Sequence, residues 1–247
     1  MASVPQVLIS MLLMSSADSK KKFHKSRHGD DKPHIVVILA DDLGWNEVSW
    51  HNPHFLTPRM EELSQEGVRL AKSYVSPKCS PSRAALLSGR YPWKIGHQRG
   101  AIERFQATGL NTSLPLLPEL LRQGGYKTNL VGKWHLGYCE EDYLPTNRGF
   151  DTFFGQYSHV TDYYTRKVHY NNSDGQLLDA HDLHSGMEPS YEGDGEFSTD
   201  LYTRKAVEVI EKHDTKEPLF LYLAYQAPHM MIQRPPAVYL DQYQVGL

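Results

Sequence analysis

The run HIVVILA at 34–40 constrains this chain more than any other stretch. It is continuous and rich in β-branched residues, with no polar alternation. That is the pattern of a strand buried on both faces, as in a parallel sheet covered by helices. A second run, LFLYLA at 219–224, follows Pro218, and residues 126–131 read as another strand. Helical patterns lie between them. Thr57 and Pro58 supply an N-cap and a first helical position for a helix that reaches Glu66 and stops at Gly67. Residues 82–88 are helical and end at Gly89, and 114–123 repeat the pattern with leucines at 114, 116, 117, 120 and 121. Ser198 or Thr199 caps an amphipathic helix with Leu201, Ala206, Val207 and Ile210 on one side. Residues 68–75 are expected to form a further strand, and 155–197, polar and rich in Gly, Asp and His, a long surface excursion. Strands alternating with helices define an α/β fold with a mostly parallel sheet flanked by helices. Length and a 40% hydrophobic content suit one domain with a substantial core, placed at 33–247. Residues 239–247 add no closing element, so the fold is expected to be incomplete at its C-terminus, as in an N-terminal fragment or a truncated form.

Charge nearly balances, with Lys+Arg 26 against Asp+Glu 29. A nucleic-acid binder, with its gathered basic surplus, is thereby disfavoured. The one basic cluster (Lys20, Lys21, Lys22, Lys25, Arg27) falls in 18–32, which reads as a solvated tail. The apolar stretch at 4–14 is followed by Ser15, Ser16 and Ala17. It is too short to span a bilayer and reads as a secretory signal peptide, 1–17, cleaved near Ala17. No later stretch is apolar enough to cross a membrane. Sequons at Asn111 and Asn171 agree with a secretory route ending in the lysosome or outside the cell. The two cysteines, Cys79 and Cys139, are too few for a disulfide-stapled scaffold. Cys139 is a free thiol or half of a bridge to a partner outside this chain.

Ligands of open α/β sheets bind beyond the carboxyl ends of the strands. The first strand ends there in Asp41 and Asp42. Adjacent carboxylates repel one another unless a cation or donor lies between them, and their oxygens suit a hard ion such as Ca²⁺ or Mg²⁺. Alternatively, Asp42 caps a turn before Gly44. Next comes Cys79-Ser80-Pro81-Ser82-Arg83, which leads directly into a helix. The helix dipole favours an anion at this end, and Arg83, one turn on, can face the same point. Read alone, a buried structural cysteine beside a capping serine explains the segment too.

CSPSRAALLSGRYP at 79–92 resembles the signature of the sulfatases. Neighbouring segments agree: DDLGW at 41–45, TP at 57–58, GKWHLG at 132–137 and PTNRGFDTFFG at 145–155. The similarity runs from about Pro33 to Tyr239 and looks nearest to the arylsulfatase B type, which acts on sulfated N-acetylgalactosamine in glycosaminoglycans. The resemblance implies an alkaline-phosphatase-like sulfatase fold. It also implies that a formylglycine-generating enzyme oxidises Cys79 to formylglycine (3-oxoalanine) during biosynthesis.

Two further groups gain meaning beside it. Strand-like alternation puts Lys133 and His135 on one side and turns Trp134 away, a cation and an imidazole suited to a sulfate ester and a proton relay. By itself the pair reads as a surface lysine beside a packed histidine. His229 follows the strand at 219–224 and, as one of 13 histidines, also fits a plain loop position.

The resemblance implies Ca²⁺ on Asp41, Asp42 and position 79. Arg83 would hold the hydrated aldehyde, and Lys133 would orient it or bind sulfate. His135 would take a proton, and His229 would bind sulfate and assist the leaving group. Substrates would be sulfated carbohydrates or aryl sulfates, selected by loops such as 91–106 and 155–197. The family pattern also has an Asp-Asn pair completing the calcium shell and a second lysine, for which no candidate precedes Leu247. Weak Ca²⁺ binding, and a chain not competent by itself, are therefore expected. Phosphatases of the same broad fold present Ser or Thr with zinc-type ligand sets, against which CSPSR argues. A non-catalytic secreted protein that binds sulfated glycans is the other alternative.

Overall fold

The computed structural model describes residues 9–12, 32–171 and 175–243. The expected signal peptide, 1–17, and polar tail, 18–32, lie outside the described residues, except for 9–12 and Lys32. In chain order the elements are β1 (Ile9–Leu12), β2 (Ile35–Asp41), α1 (Pro58–Glu66), α2 (Cys79–Ser88), α3 (Leu117–Gln123), β3 (Lys127–Lys133) and β4 (Thr152–Gln156). There follow β5 (Lys167–Asn171), β6 (Leu177–His181), β7 (His184–Ser185), β8 (Glu188–Pro189), α4 (Ser198–Lys212), β9 (Leu219–Pro228) and α5 (Ala237–Leu240). Among the described residues no helix is long and apolar enough to cross a membrane.

One sheet runs in the order β1-β2-β9-β3-β4-β7-β8, and β5 pairs with β6 apart from it. Strands β2, β9, β3 and β4 are mutually parallel, and the antiparallel pairings fall at the two edges. This is the mostly parallel sheet expected. Strand period decides which core each side chain of β9 enters. Leu219, Leu221 and Leu223 meet Leu201, Tyr202 and Ala206 of α4. Phe220, Tyr222 and Ala224 face the opposite core with Ala84 and Leu87 of α2, Phe150 and Trp134. Each large apolar side chain buried this way contributes about 1.5–3 kcal/mol.

Close strand approach explains two glycines that flank the site. A Cβ on Gly132 would lie 2.0 Å from the Ala224 carbonyl oxygen, and one on Gly155 1.9 Å from that of Gly132. Gly132 also has φ 109°, a conformation other residues seldom adopt.

Residues 68–75 form no strand, and Val68, Leu70 and Tyr74 are exposed. The segment carries Arg69, Lys72 and Ser73 among its apolar residues, and no strand of the sheet pairs with it. The stretch at 155–197 is far more ordered than a surface excursion. It contains β5 to β8, and Val160, Thr161, Tyr163, Arg166, Val168 and Leu183 are buried. Helix α2 begins at Cys79 rather than Ser82, α3 at Leu117 rather than Leu114, and β3 and β9 extend to Lys133 and Pro228. Neither expected serine nor threonine caps α4. Its N-cap is Phe197, and the Ser198 hydroxyl instead accepts from Gln226 at 3.0 Å. Val207 and Ile210 of that helix are exposed.

Candidate active site

Three adjacent parallel strands deliver their carboxyl ends to one place. At the end of β2 the register against β9 shifts between Leu39 and Asp41, an irregularity of the kind that redirects a side chain. Asp41 is buried, accepts from the Lys133 ammonium, and lies 3.5 Å from Arg83 Nη2. Burial pushes its carboxyl up, but Lys133 and Arg83 more than offset this and hold it below the usual carboxylate range. Asp42 has φ 66°, which Asp tolerates better than most residues. Its half-exposed carboxylate stands 3.6 Å from His229 Nε2.

Cys79 opens α2, buried and unpaired. Ser82 Oγ donates to the Lys78 and Ser76 carbonyls, both at 2.8 Å, holding the turn that enters the helix. Gly89, at φ 64°, ends it with its amide on Ala85, the left-handed C-terminal glycine common to helices. Burial raises the Cys79 thiol, yet His229, against which it lies, and Lys133 bring it below its ordinary value. Arg83 is buried one turn on, donating to the Lys133 carbonyl at 2.9 Å. Its Nε and Nη2 have no hydrogen-bond partner. Burial opposes its charge, and Asp41 more than compensates.

Strand β3 ends at Lys133, so alternation does not carry through to His135, whose φ is 58°. Trp134 does turn away, donating to the Gly137 and Tyr143 carbonyls. His135 Nε2 lies 2.8 Å from the Ile102 carbonyl and 3.0 Å from Ser80 Oγ, while Nδ1 is buried without a partner. A carbonyl only accepts, so the hydrogen is assigned to Nε2 and Nδ1 keeps a free lone pair. Burial and the nearby Lys133 push His135 well below the usual histidine range. It is thus neutral, as a base must be before it acts. His229 follows β9, with Nδ1 2.6 Å from the Met230 carbonyl. Burial lowers its pKa, but Cys79 and that carbonyl raise it above the ordinary value.

All seven residues singled out for chemistry therefore lie in one neighbourhood. Three neighbours were missed: Ser80, inside the motif, and His159 and Asp182, which no local pattern marks. Asn111 and Asn171 are exposed, although the second sequon continues into 172–174, outside the described residues.

The oxygens of Asp41 and Asp42 suit a hard cation. Two carboxylates fall well short of the roughly six to eight oxygens that Ca²⁺ takes, and among the described residues no group of three or more His, Cys, Asp or Glu is placed to hold a metal. The donor chemistry fits, and the donor number is part of a shell. Calorimetric titration of this chain with Ca²⁺ should therefore give a Kd of about 1 mM or weaker. A micromolar value would mean that further ligands are present.

A nucleophile at a helix N-terminus, with Lys, Arg and His converging on it, belongs to hydrolases of anionic esters. The chain is a member of the sulfatase family, whose model matches residues 33–246. Arylsulfatase J of Mus musculus is 40% identical over 217 residues, 87% of this chain and 36% of that protein. N-acetylgalactosamine-6-sulfatase of Homo sapiens is 34% identical over 207 residues, 80% of this chain and 40% of that protein. The crystal structure of Ps i-CgsB superposes with a TM-score of 0.76 at 31% identity, covering 87% of this chain and 49% of that one. The same protein has been solved with k-i-k-neocarrahexaose. The chain thus spans about two fifths of these curated relatives and half of the solved one.

Proposed function

We propose that this chain carries the nucleophile-bearing part of a calcium-dependent sulfatase that cleaves sulfate esters of carbohydrates. The observation that carries it is Cys79 at the start of α2, with Arg83, Lys133 and His229 around it and Asp41 and Asp42 at the adjoining strand end. N-acetylgalactosamine-6-sulfatase among the relatives supports a sugar substrate, as does the carbohydrate held by the solved neighbour. The finer arylsulfatase B type, on sulfated N-acetylgalactosamine of glycosaminoglycans, is proposed on the motif likeness, with aryl sulfates as surrogate substrates.

Formylglycine at position 79 would supply a hydrated aldehyde, one hydroxyl for displacing the alcohol from sulfur and a second whose deprotonation releases sulfate. Asp41 and Asp42 would hold Ca²⁺, which supplies positive charge to the sulfate oxygens. Arg83 and Lys133 fix the group at position 79 and add charge where the sulfate sits. Neutral His135 accepts a proton at Nδ1. His229, which lies against position 79, would donate to the leaving oxygen. Passage through the secretory pathway, to the lysosome or the exterior, and glycosylation at Asn111 and Asn171 complete the proposal.

The test is the mass of the tryptic peptide between Lys78 and Arg83, from protein made in its native source. An aldehyde at 79 is expected; an intact thiol would sink the sulfatase mechanism for this chain. A second reading, a glycan-binding protein without turnover, draws on the two-carboxylate half shell, and an intact thiol would favour it.

A further inference from the structure

His159 has no part in the roles given above, yet its ring lies beside those of two histidines that do. Its ring centroid is 5.4 Å from that of His135 and 6.5 Å from that of His229, tilted over the first and edge-on to the second. Nδ1 is sealed from solvent with no hydrogen-bond partner. The ring as a whole is only half-buried, so Nε2 is the atom left to meet a ligand. Hydrogen on Nε2 makes the sealed Nδ1 a bare acceptor rather than an unsatisfied N–H, the cheaper of the two arrangements.

The segment carrying His159 is anchored by a buried charge. Asp182, between β6 and β7, accepts the amides of Tyr157 at 2.9 Å and Ser158 at 2.8 Å. These are the two residues immediately before His159. His184 lies 3.4 Å from the same carboxylate, and its ring stacks on Tyr157 with centroids 4.1 Å apart. Burial pushes the Asp182 carboxyl up, but His184, Ser158 and the two amides more than offset it, keeping it below the usual range. An ionised carboxylate is expensive to bury, and here its charge-assisted bonds hold one turn of backbone at the rim of the site.

We propose that His159 contacts the sugar of the substrate, donating from Nε2 to a hydroxyl beside the sulfate ester, with Asp182 as its positioning residue. This rests on the sulfatase reading of the same site. Cys79 lies against His229, so the sulfate ester would sit beside His229, and the partly exposed His159 ring, 6.5 Å from it, is within reach of the sugar that carries the ester. Burial, with Lys133 and Arg104 nearby, lowers His159 to about 4. A neutral ring of this kind suits a hydroxyl better than an anion.

The test uses the 247-residue chain and the variants His159→Ala, His159→Asn and Asp182→Asn. Each is titrated with inorganic sulfate and with N-acetylgalactosamine 4-sulfate, by calorimetry and by NMR of the histidine rings. In the unaltered chain both ligands should shift the His229 ring, and only the sugar should shift His159. His159→Ala should weaken the sugar sulfate about five- to tenfold and leave inorganic sulfate within about twofold. His159→Asn, which keeps a donor, should recover part of the loss. Asp182→Asn should weaken the sugar while moving the His159 resonances of the free protein. Inorganic sulfate serves as the check on folding, and His159→Asn carries the comparison if the alanine variant does not fold. Equal losses for both ligands, or no loss for either, overturn the proposal alone. An unaltered chain that binds neither ligand overturns the sulfatase reading and the proposal with it.

Discussion

Lys133→Met should destabilise the chain by about 3–5 kcal/mol, the usual cost of removing one partner from a buried ion pair. Lys133 is fully buried at the end of β3, and its ammonium meets the buried Asp41 carboxylate. Methionine keeps most of the side chain's volume and removes its charge. Asp41 then retains Arg83 Nη2 at 3.5 Å, without a hydrogen bond from it. The melting temperature should fall by on the order of 10 °C. Adding Asp41→Asn to the same chain should recover much of the loss, because the stranded charge is gone. Ca²⁺ should raise the melting temperature of Lys133→Met more than that of the unaltered chain, since a cation can replace the missing ammonium. Melts followed by circular dichroism test all three statements. A single variant within about 1 kcal/mol of the parent would show that Asp41 does not depend on Lys133.

Acid should weaken the fold in a window that belongs to histidine. His159 is held down to about 4, and His135 is held well below the usual range. In the unfolded chain both take a proton near pH 6.5; in the folded chain they refuse it. The unfolded state therefore binds more protons, and stability falls as pH drops from about 6.5 toward the folded values. For His159 the loss approaches about 3 kcal/mol once pH passes below 4, less whatever solvent reaches the ring. His229, shifted upward, acts in the opposite sense and offsets part of this. Asp41 and Asp182, both lowered, withdraw their support only below about pH 3.9, so the two classes separate on the pH axis. Urea unfolding between pH 7.5 and 4 should show a falling midpoint, and His159→Gln should flatten the slope. An unchanged slope in that variant would mean that His159 already exchanges its proton freely in the folded chain.

What could be read from the sequence was local. The run at 34–40, the stretch at 219–224 and the segment opening with Cys79 each carry their own signal in adjacent residues. They give two strands and a helix, although Ile38 of the first is exposed rather than buried on both faces and the helix starts at Cys79. The contact of Lys133 with Asp41 depends on β9 lying between β2 and β3 in register, which no pair of residues 92 apart announces. Residues 68–75 have strand-like composition but pair with no strand of the sheet. The stretch at 155–197 looked featureless because its order comes from distant partners, such as Asp182 on the amides of 157 and 158. His159 sits among 13 histidines with nothing nearby in sequence to single it out.

Lys133 and the start of the loop to His229 hang from β3 and β9, each flanked by a strand on both sides, and Asp41 from β2, which pairs with β9. Amide deuteration makes the consequence visible. Backbone N–H groups at 129–132 and 221–224 should exchange only when the whole molecule opens, whereas those of β5 and β6, paired with each other alone, should exchange through local opening. The groups that do chemistry would then keep their spacing until the last of the fold is lost, while the neighbouring hairpin fluctuates around them.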